Sequence, residues 1–140
     1  MRIYQGVDLV EVERLREAWE RTEGFRREVF TEAESADCLR RPDPYPHLAA
    51  RFAVKEACLK AFGVGLGAPG GLGGLGRLRE VEVESSPSGK PVLRLHGSVE
   101  RMSRRLRIRQ STVSISHTRE LAVATVVLVG EDLPGGEAED

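Results

Sequence analysis

The sequence predicts an α+β fold with a small antiparallel sheet, and three observations carry that expectation. The chain has 140 residues, the length of one domain. It is 40% hydrophobic and 31% charged, as soluble globular chains are, and is long enough to form a core without staples. Its periodicities run strand, three helices, hairpin, helix, hairpin. Helices and hairpins are thus segregated rather than alternating, which disfavours a doubly wound sheet.

The first strand, Ile3 to Val10, sets Ile3, Val7 and Leu9 against Tyr4, Gly6, Asp8 and Val10. From Val12 the spacing changes to Val12, Leu15 and Trp19, the stripe of a helix that ends near Gly24. A short helical turn follows through Phe25, Val29 and Phe30. Thr31-Glu32-Ala33-Glu34 is a capping box, opening a second helix that runs to about Arg41 before Pro42, Pro44 and Pro46. A third helix spans His47 to Phe62, with Leu48, Phe52, Leu59 and Phe62 along one face and Gly63 at its stop.

Gly63 to Gly76 holds eight glycines in fourteen residues and lacks the ending of a phosphate-binding P-loop, so it reads as a loop. Leu78 to Glu84 is a half-buried strand. The turn Ser86-Pro87-Ser88-Gly89 joins it to a second, Pro91 to His96. Ser98 caps a short helix bearing Val99, Met102 and Leu106. Thr112 to His117 and Leu121 to Leu128 form the second hairpin around Thr118-Arg119-Glu120. Residues 1–130 read as one domain. Residues 131–140, acidic and without periodicity, read as a disordered tail.

The longest apolar stretch, Leu121 to Val129, is far short of the ~20 residues of a membrane helix. Asp8 stands where a signal peptide needs its apolar run. Cys38 and Cys58 have no zinc-spaced partner and suit a reducing compartment, so the expected location is the cytoplasm. Net charge is −1, but five of the 22 acids fall within 131–140. That leaves residues 1–130 with 21 bases against 17 acids, and only Lys55, Lys60 and Lys90 among the bases are lysine. Arginine-rich surfaces suit phosphates and carboxylates, which guanidinium grips in a fork.

Two acids stand out. Glu56 falls one turn after Phe52 and about one turn before Leu59, inside the apolar stripe. A buried carboxylate there needs a cation: a metal, an arginine or a lysine, with Lys60 one turn on. An exposed Glu56–Lys60 pair, worth ~0.3–0.5 kcal/mol, is the plainer alternative. Asp8 sits where strand gives way to helix, as a macrodipole-favoured acid would. Together, two carboxylates from separate elements suit Mg²⁺, which takes one or two protein carboxylates and lets substrate phosphates complete its shell. His117, at a strand end and on the face of Val113 and Ile115, is either structural or placed to reach a ligand.

Four segments resemble one family, the holo-[acyl-carrier-protein] synthases, short 4′-phosphopantetheinyl transferases. They are Gly6-Val7-Asp8-Leu9-Val10-Glu11-Val12-Glu13-Arg14-Leu15, Phe30-Thr31-Glu32-Ala33-Glu34, Arg51 to Gly63 with its Lys55-Glu56-Ala57 and Lys60-Ala61, and Ser114-Ile115-Ser116-His117-Thr118. Ser88-Gly89-Lys90-Pro91 resembles a family turn. The glycine-dense loop and the acidic tail lie outside the resemblance.

The resemblance implies the 4′-phosphopantetheinyl transferase fold, a homotrimer, and transfer of the phosphopantetheine arm of coenzyme A to a serine of apo-acyl carrier protein. Adenosine 3′,5′-bisphosphate is the leaving group. It implies that Asp8 and Glu56 hold Mg²⁺, with Mn²⁺ as an alternative, and that Lys60 lies by the same phosphate. Glu56, directly or through water, is the candidate for activating the serine. Arg51 and His117 match positions near the nucleotide of coenzyme A, and Lys90 is a further candidate there. Arg14, Arg21 and Phe25, on and after the first long helix, would dock the acidic carrier protein.

Two other readings compete. A coenzyme A-binding module without catalysis would not need Asp8, Glu56 and Lys60 together. A nucleic-acid binder is suggested by Arg101, Arg104, Arg105, Arg107 and Arg109, but that run has no interleaved aromatics, so no nucleic-acid partner is expected.

Overall fold

The computed structural model describes residues 1–64 and 75–134. Most of the glycine-dense segment and the end of the acidic tail (135–140) lie outside the described residues. The elements are β1 (Arg2–Glu11), α1 (Val12–Arg21), α2 (Glu23–Val29), α3 (Glu32–Leu39), α4 (Tyr45–Ala61), α5 (Leu75–Arg79), β2 (Val81–Ser85), β3 (Pro91–Leu95), α6 (Gly97–Arg105), β4 (Ile108–His117) and β5 (Leu121–Gly130). The α+β class expected from the periodicity is the one observed. Among the described residues, no helix is long and apolar enough to cross a membrane.

The strands form two antiparallel sheets. One has three strands in the order β1-β5-β4, and the other is the β2-β3 hairpin. The first strand therefore pairs with the last, with Asp8 opposite Ala124 and Arg2 opposite Gly130. The β4–β5 turn closes through Thr118, whose Oγ1 accepts from the Glu120 and Leu121 amides at 3.2 and 3.1 Å.

α4 is the centre of the molecule and lies across β1 and β5. The expected one-sided stripe of Leu48, Phe52, Leu59 and Phe62 is corrected here. Phe52 and Phe62 are only half-buried, while Ala49, Ala53, Val54, Ala57 and Cys58 are buried around the rest of the helix. The cause is tertiary: the sheet covers one side, and α1, α3, α5 and β2 cover others. The sheet approaches most closely at Gly6. A Cβ there would stand 1.9 Å from the Ala57 carbonyl oxygen and 2.8 Å from the Ala61 nitrogen. Only glycine admits that approach.

The same contact decides which way β1 faces. Tyr4, Gly6, Asp8 and Val10 turn inward, and the more apolar set turns out. Ile3, Val7 and Leu9 are 60%, 54% and 64% exposed.

Several boundaries differ from expectation. β4 begins at Ile108 rather than Thr112, and α6 starts at Gly97, so Ser98 lies inside it and donates to Glu80 rather than capping it. α1 stops at Arg21. Thr22, extended at φ −146 and ψ 134, then accepts the Phe25 amide at 3.2 Å and opens a true helix, so Gly24 lies inside α2. α4 starts at Tyr45, because Pro46 sits in its first turn, where no amide is needed. Leu78 and Arg79 end helix α5, and the strand begins only at Val81. The capping box is present as expected. Thr31 Oγ1 accepts the Glu34 amide at 3.1 Å, and Glu34 Oε1 accepts the Thr31 amide at 2.8 Å.

Candidate active site

Asp8 arrives from the inward face of β1, and Glu56 and Lys60 from one face of α4, a turn apart. Lys60 Nζ donates to Asp8 Oδ1 at 2.8 Å and to the Val7 carbonyl at 3.1 Å. The sequence-based pairing of Lys60 with Glu56 is therefore replaced by a pairing with Asp8. Glu56 shares an open cleft of about 580 Å³ with Asp8. Its carboxyl is pushed above the ordinary glutamate range, first by burial and then by the Asp8 charge, with Lys60 partly offsetting both. Two carboxylates lining one cleft, beside one lysine already engaged, suit a divalent cation.

The same cleft runs past Arg14 to Phe25 and Phe52. The Phe25 ring stands 6.1 Å from Phe52 and 6.3 Å from Phe30, so it is half-buried with one side open. Arg14 is exposed and only loosely paired with Glu11, at 3.8 Å. Arg21 is exposed at the end of α1. Trp19, next to this face, is a core residue, as its place in the apolar stripe of α1 requires. It meets Phe30 edge-on at 5.4 Å, and Arg26 covers it.

On another face of α4, Arg41, His47, Arg51, Gly89, Pro91 and His117 line a second cleft of about 160 Å³. The fold thus brings together Arg51, His117 and the turn that carries the exposed Lys90. The His47 and His117 rings meet edge-on with centroids 5.5 Å apart. Burial, helped by the Arg41 and His117 charges, pushes His47 below the usual histidine pKa. The Arg51 guanidinium is largely committed inside the protein. It binds the Asp37 carboxylate closely and reaches the Glu34 carbonyl at 3.3 Å and Ser85 Oγ at 3.4 Å. In the arginine run at α6 and β4, Arg104 pairs with Glu100 and Arg109 with Glu131.

Sequence reasoning missed Lys55. Its side chain is fully buried, with Nζ 2.7 Å from Glu34 Oε1, 3.1 Å from the Leu78 carbonyl and 2.7 Å from the Val81 carbonyl. Burial pushes its pKa down, and Glu34 opposes that shift. The one available signal was Glu34 itself, a capping-box acid on a helix packed against α4.

The family model of the 4′-phosphopantetheinyl transferase superfamily matches residues 5–126. A holo-[acyl-carrier-protein] synthase of Chloroflexus aggregans is 46% identical over 134 residues, spanning 89% of this chain and 94% of that one. The ACPS–CoA complex of Chronobacterium ammoniagenes superposes with a TM-score of 0.78 at 27% identity, covering 94% and 99% of the two chains. The Helicobacter pylori synthase in complex with coenzyme A gives a TM-score of 0.68 at 25% identity, covering 89% and 99%.

Proposed function

The chain belongs to the 4′-phosphopantetheinyl transferase superfamily, and from that membership we propose which of its residues perform the transfer. The reaction is that of a holo-[acyl-carrier-protein] synthase: the phosphopantetheine arm of coenzyme A passes to apo-acyl carrier protein. The observation that carries the site assignment is the corner of the cleft that Asp8 and Glu56 both line, with Lys60 bound to Asp8.

Asp8 and Glu56 would hold Mg²⁺ there, or Mn²⁺ in its place. The fit rests on their oxygen donors and on the raised Glu56 carboxyl, which an added positive charge would relieve. A divalent cation in this position supplies charge neutralisation for the coenzyme A pyrophosphate. Lys60 brings a second positive charge to the same phosphate, where it offsets charge building on the leaving bisphosphate or protonates it. Glu56, directly or through one water, takes the proton as the carrier serine attacks the phosphorus next to pantetheine. The bond to adenosine 3′,5′-bisphosphate then breaks. Arg41, His47 and His117 form a polar wall for the nucleotide phosphates, Lys90 on the adjoining turn adds a charge to it, and Arg51 stiffens that wall from within.

The intact mass of apo-acyl carrier protein, incubated with the chain, coenzyme A and Mg²⁺, tests this directly. The expected result is a gain of one phosphopantetheine that disappears with a chelator. A gain undiminished by chelation would remove the metal from the assignment.

Arg14, Arg21 and Phe25 supply the docking face for an acidic carrier helix: arginines for carboxylates around a half-open aromatic. Arg14→Glu should raise KM for the carrier on the order of 10-fold and leave that for coenzyme A nearly unchanged. Equal effects on both substrates would count against docking there.

The outward row of Ile3, Val7 and Leu9 supports self-association through the β1 side of the sheet, and a homotrimer is the assembly we assign to it. Sedimentation equilibrium reads that mass directly. Cys38 and Cys58 are free and buried, with thiols pushed up to about 11 and about 12 by burial, which suits the cytoplasm. Cell fractionation checks the location.

A further inference from the structure

α4 is held to its two sides by different kinds of contact. Against β1 the contact at Gly6 is close packing of small residues, Ala57 and Ala61, and the polar tie there is the flexible, half-exposed Lys60, which reaches Asp8 and the Val7 carbonyl from the end of the helix. Packing of this kind fixes a distance and does little to fix rotation about the helix axis. Against α3, α5 and β2 the contacts are directional. Lys55 spends all three ammonium protons on Glu34 Oε1, the Leu78 carbonyl and the Val81 carbonyl. Glu34 also accepts the Thr31 amide on Oε1 and the Val83 amide on Oε2, both within 2.8 Å. One turn before Lys55, Arg51 donates to the carbonyl of the same Glu34.

A buried pair of this kind contributes little net stability over an apolar pair of similar size. What it adds is direction. Glu56 follows Lys55 in sequence and projects about 100° further round the helix. Its carboxylate lies roughly 5–6 Å from the helix axis, so a rotation of about 10° moves it by about 1 Å. Misplacement on that scale is enough to cost roughly 100-fold in rate.

We propose that the buried Glu34–Lys55 pair is a positioning element that sets the rotation of α4 and so aims Glu56 at Asp8. This rests on the reading of Asp8 and Glu56 as the cation-binding corner. Lys55 and Glu34 touch neither substrate nor cation. They act through the helix.

The test compares a double variant, Glu34→Gln with Lys55→Met, which removes both charges, with Glu34→Gln alone, which leaves the buried Lys55 charge without its partner. Far-UV circular dichroism and thermal melting report folding. Mn²⁺ binding in the presence of coenzyme A, read from the free Mn²⁺ paramagnetic resonance signal, reports the corner without turnover. The expected result is a folded variant whose Mn²⁺ dissociation constant rises at least threefold and whose kcat falls at least tenfold. KM for the carrier should stay within twofold, because the docking face on α1 and α2 is not turned. Mn²⁺ affinity and kcat within twofold of the parent in a folded variant would overturn the proposal. So would failure of both variants to fold, since the pair would then be a folding requirement. Glu56→Gln run alongside separates the two levels. If it loses Mn²⁺ while the pair variants do not, positioning is wrong and the corner stands. If it binds Mn²⁺ as the parent does, the corner is wrong and positioning falls with it.

Discussion

Glu56→Gln should abolish transfer and make the cation-free protein more stable. Turnover is expected to fall at least ~100-fold, because the amide removes one of two carboxylates and the candidate base together. Stability should rise because the native fold holds this carboxyl in a place that disfavours its charge, through burial and then the Asp8 charge. The sign follows from proton counting. Between the ordinary glutamate pKa and the raised native one, the native state binds more protons than the unfolded state, so stability falls as pH rises through that window. The glutamine variant lacks that loss and should melt higher at neutral pH, with a flatter dependence on pH below it. Melting curves without divalent cations, at several pH values, check this. A variant that melts lower than its parent at neutral pH would mean that Glu56 is not under electrostatic strain.

Among the described glycines, Gly6→Ala adds the most disruptive methyl. The added carbon would stand 1.9 Å from a backbone oxygen, and backbone cannot swing aside as a side chain can. Overpacking of this kind costs about 3 kcal/mol or more. Melting should fall on the order of 10 °C in a domain of this size. Transfer should fall as well, because Asp8 lies two residues along the strand that is pushed off α4. The collision is with the Ala57 carbonyl, so trimming the Ala57 side chain gives no relief. The double variant Gly6→Ala with Ala57→Gly should be at least as unstable as Gly6→Ala alone. Recovery in the double variant would show that side-chain crowding, not backbone approach, keeps glycine at this position.

Most of the element order was legible because each segment carries its own period. The capping box at Thr31 and Glu34 named a helix start outright. Asp8 and Glu56 were legible as acids in apolar company. What stayed hidden depends on neighbours remote in sequence. Nothing in the spacing of Ile3, Val7 and Leu9 says that they face outward, since that follows from the close approach at Gly6. Lysine inside a helix ordinarily reads as solvent-facing. Lys55 is buried because its partners come from α3, α5 and β2, more than twenty residues away on either side. Lys60 turned to Asp8 for the same reason: β1, remote in sequence, brings the Asp8 carboxylate to 2.8 Å from it.

The pairing of β1 with β5 has a consequence for how the molecule is made. The two strands are about 110 residues apart in the chain. During synthesis at roughly 5–20 residues per second, β1 leaves the ribosome roughly 5–20 s before its partner exists. Until then Ile3, Val7 and Leu9 share an unpaired strand edge, and Asp8 has no fixed place opposite Glu56. A nascent chain that halts after β4 therefore has every proposed site residue and no assembled site. Long-range closure of this kind also slows folding. The step that completes the sheet is thus the step that completes the enzyme, and it comes last.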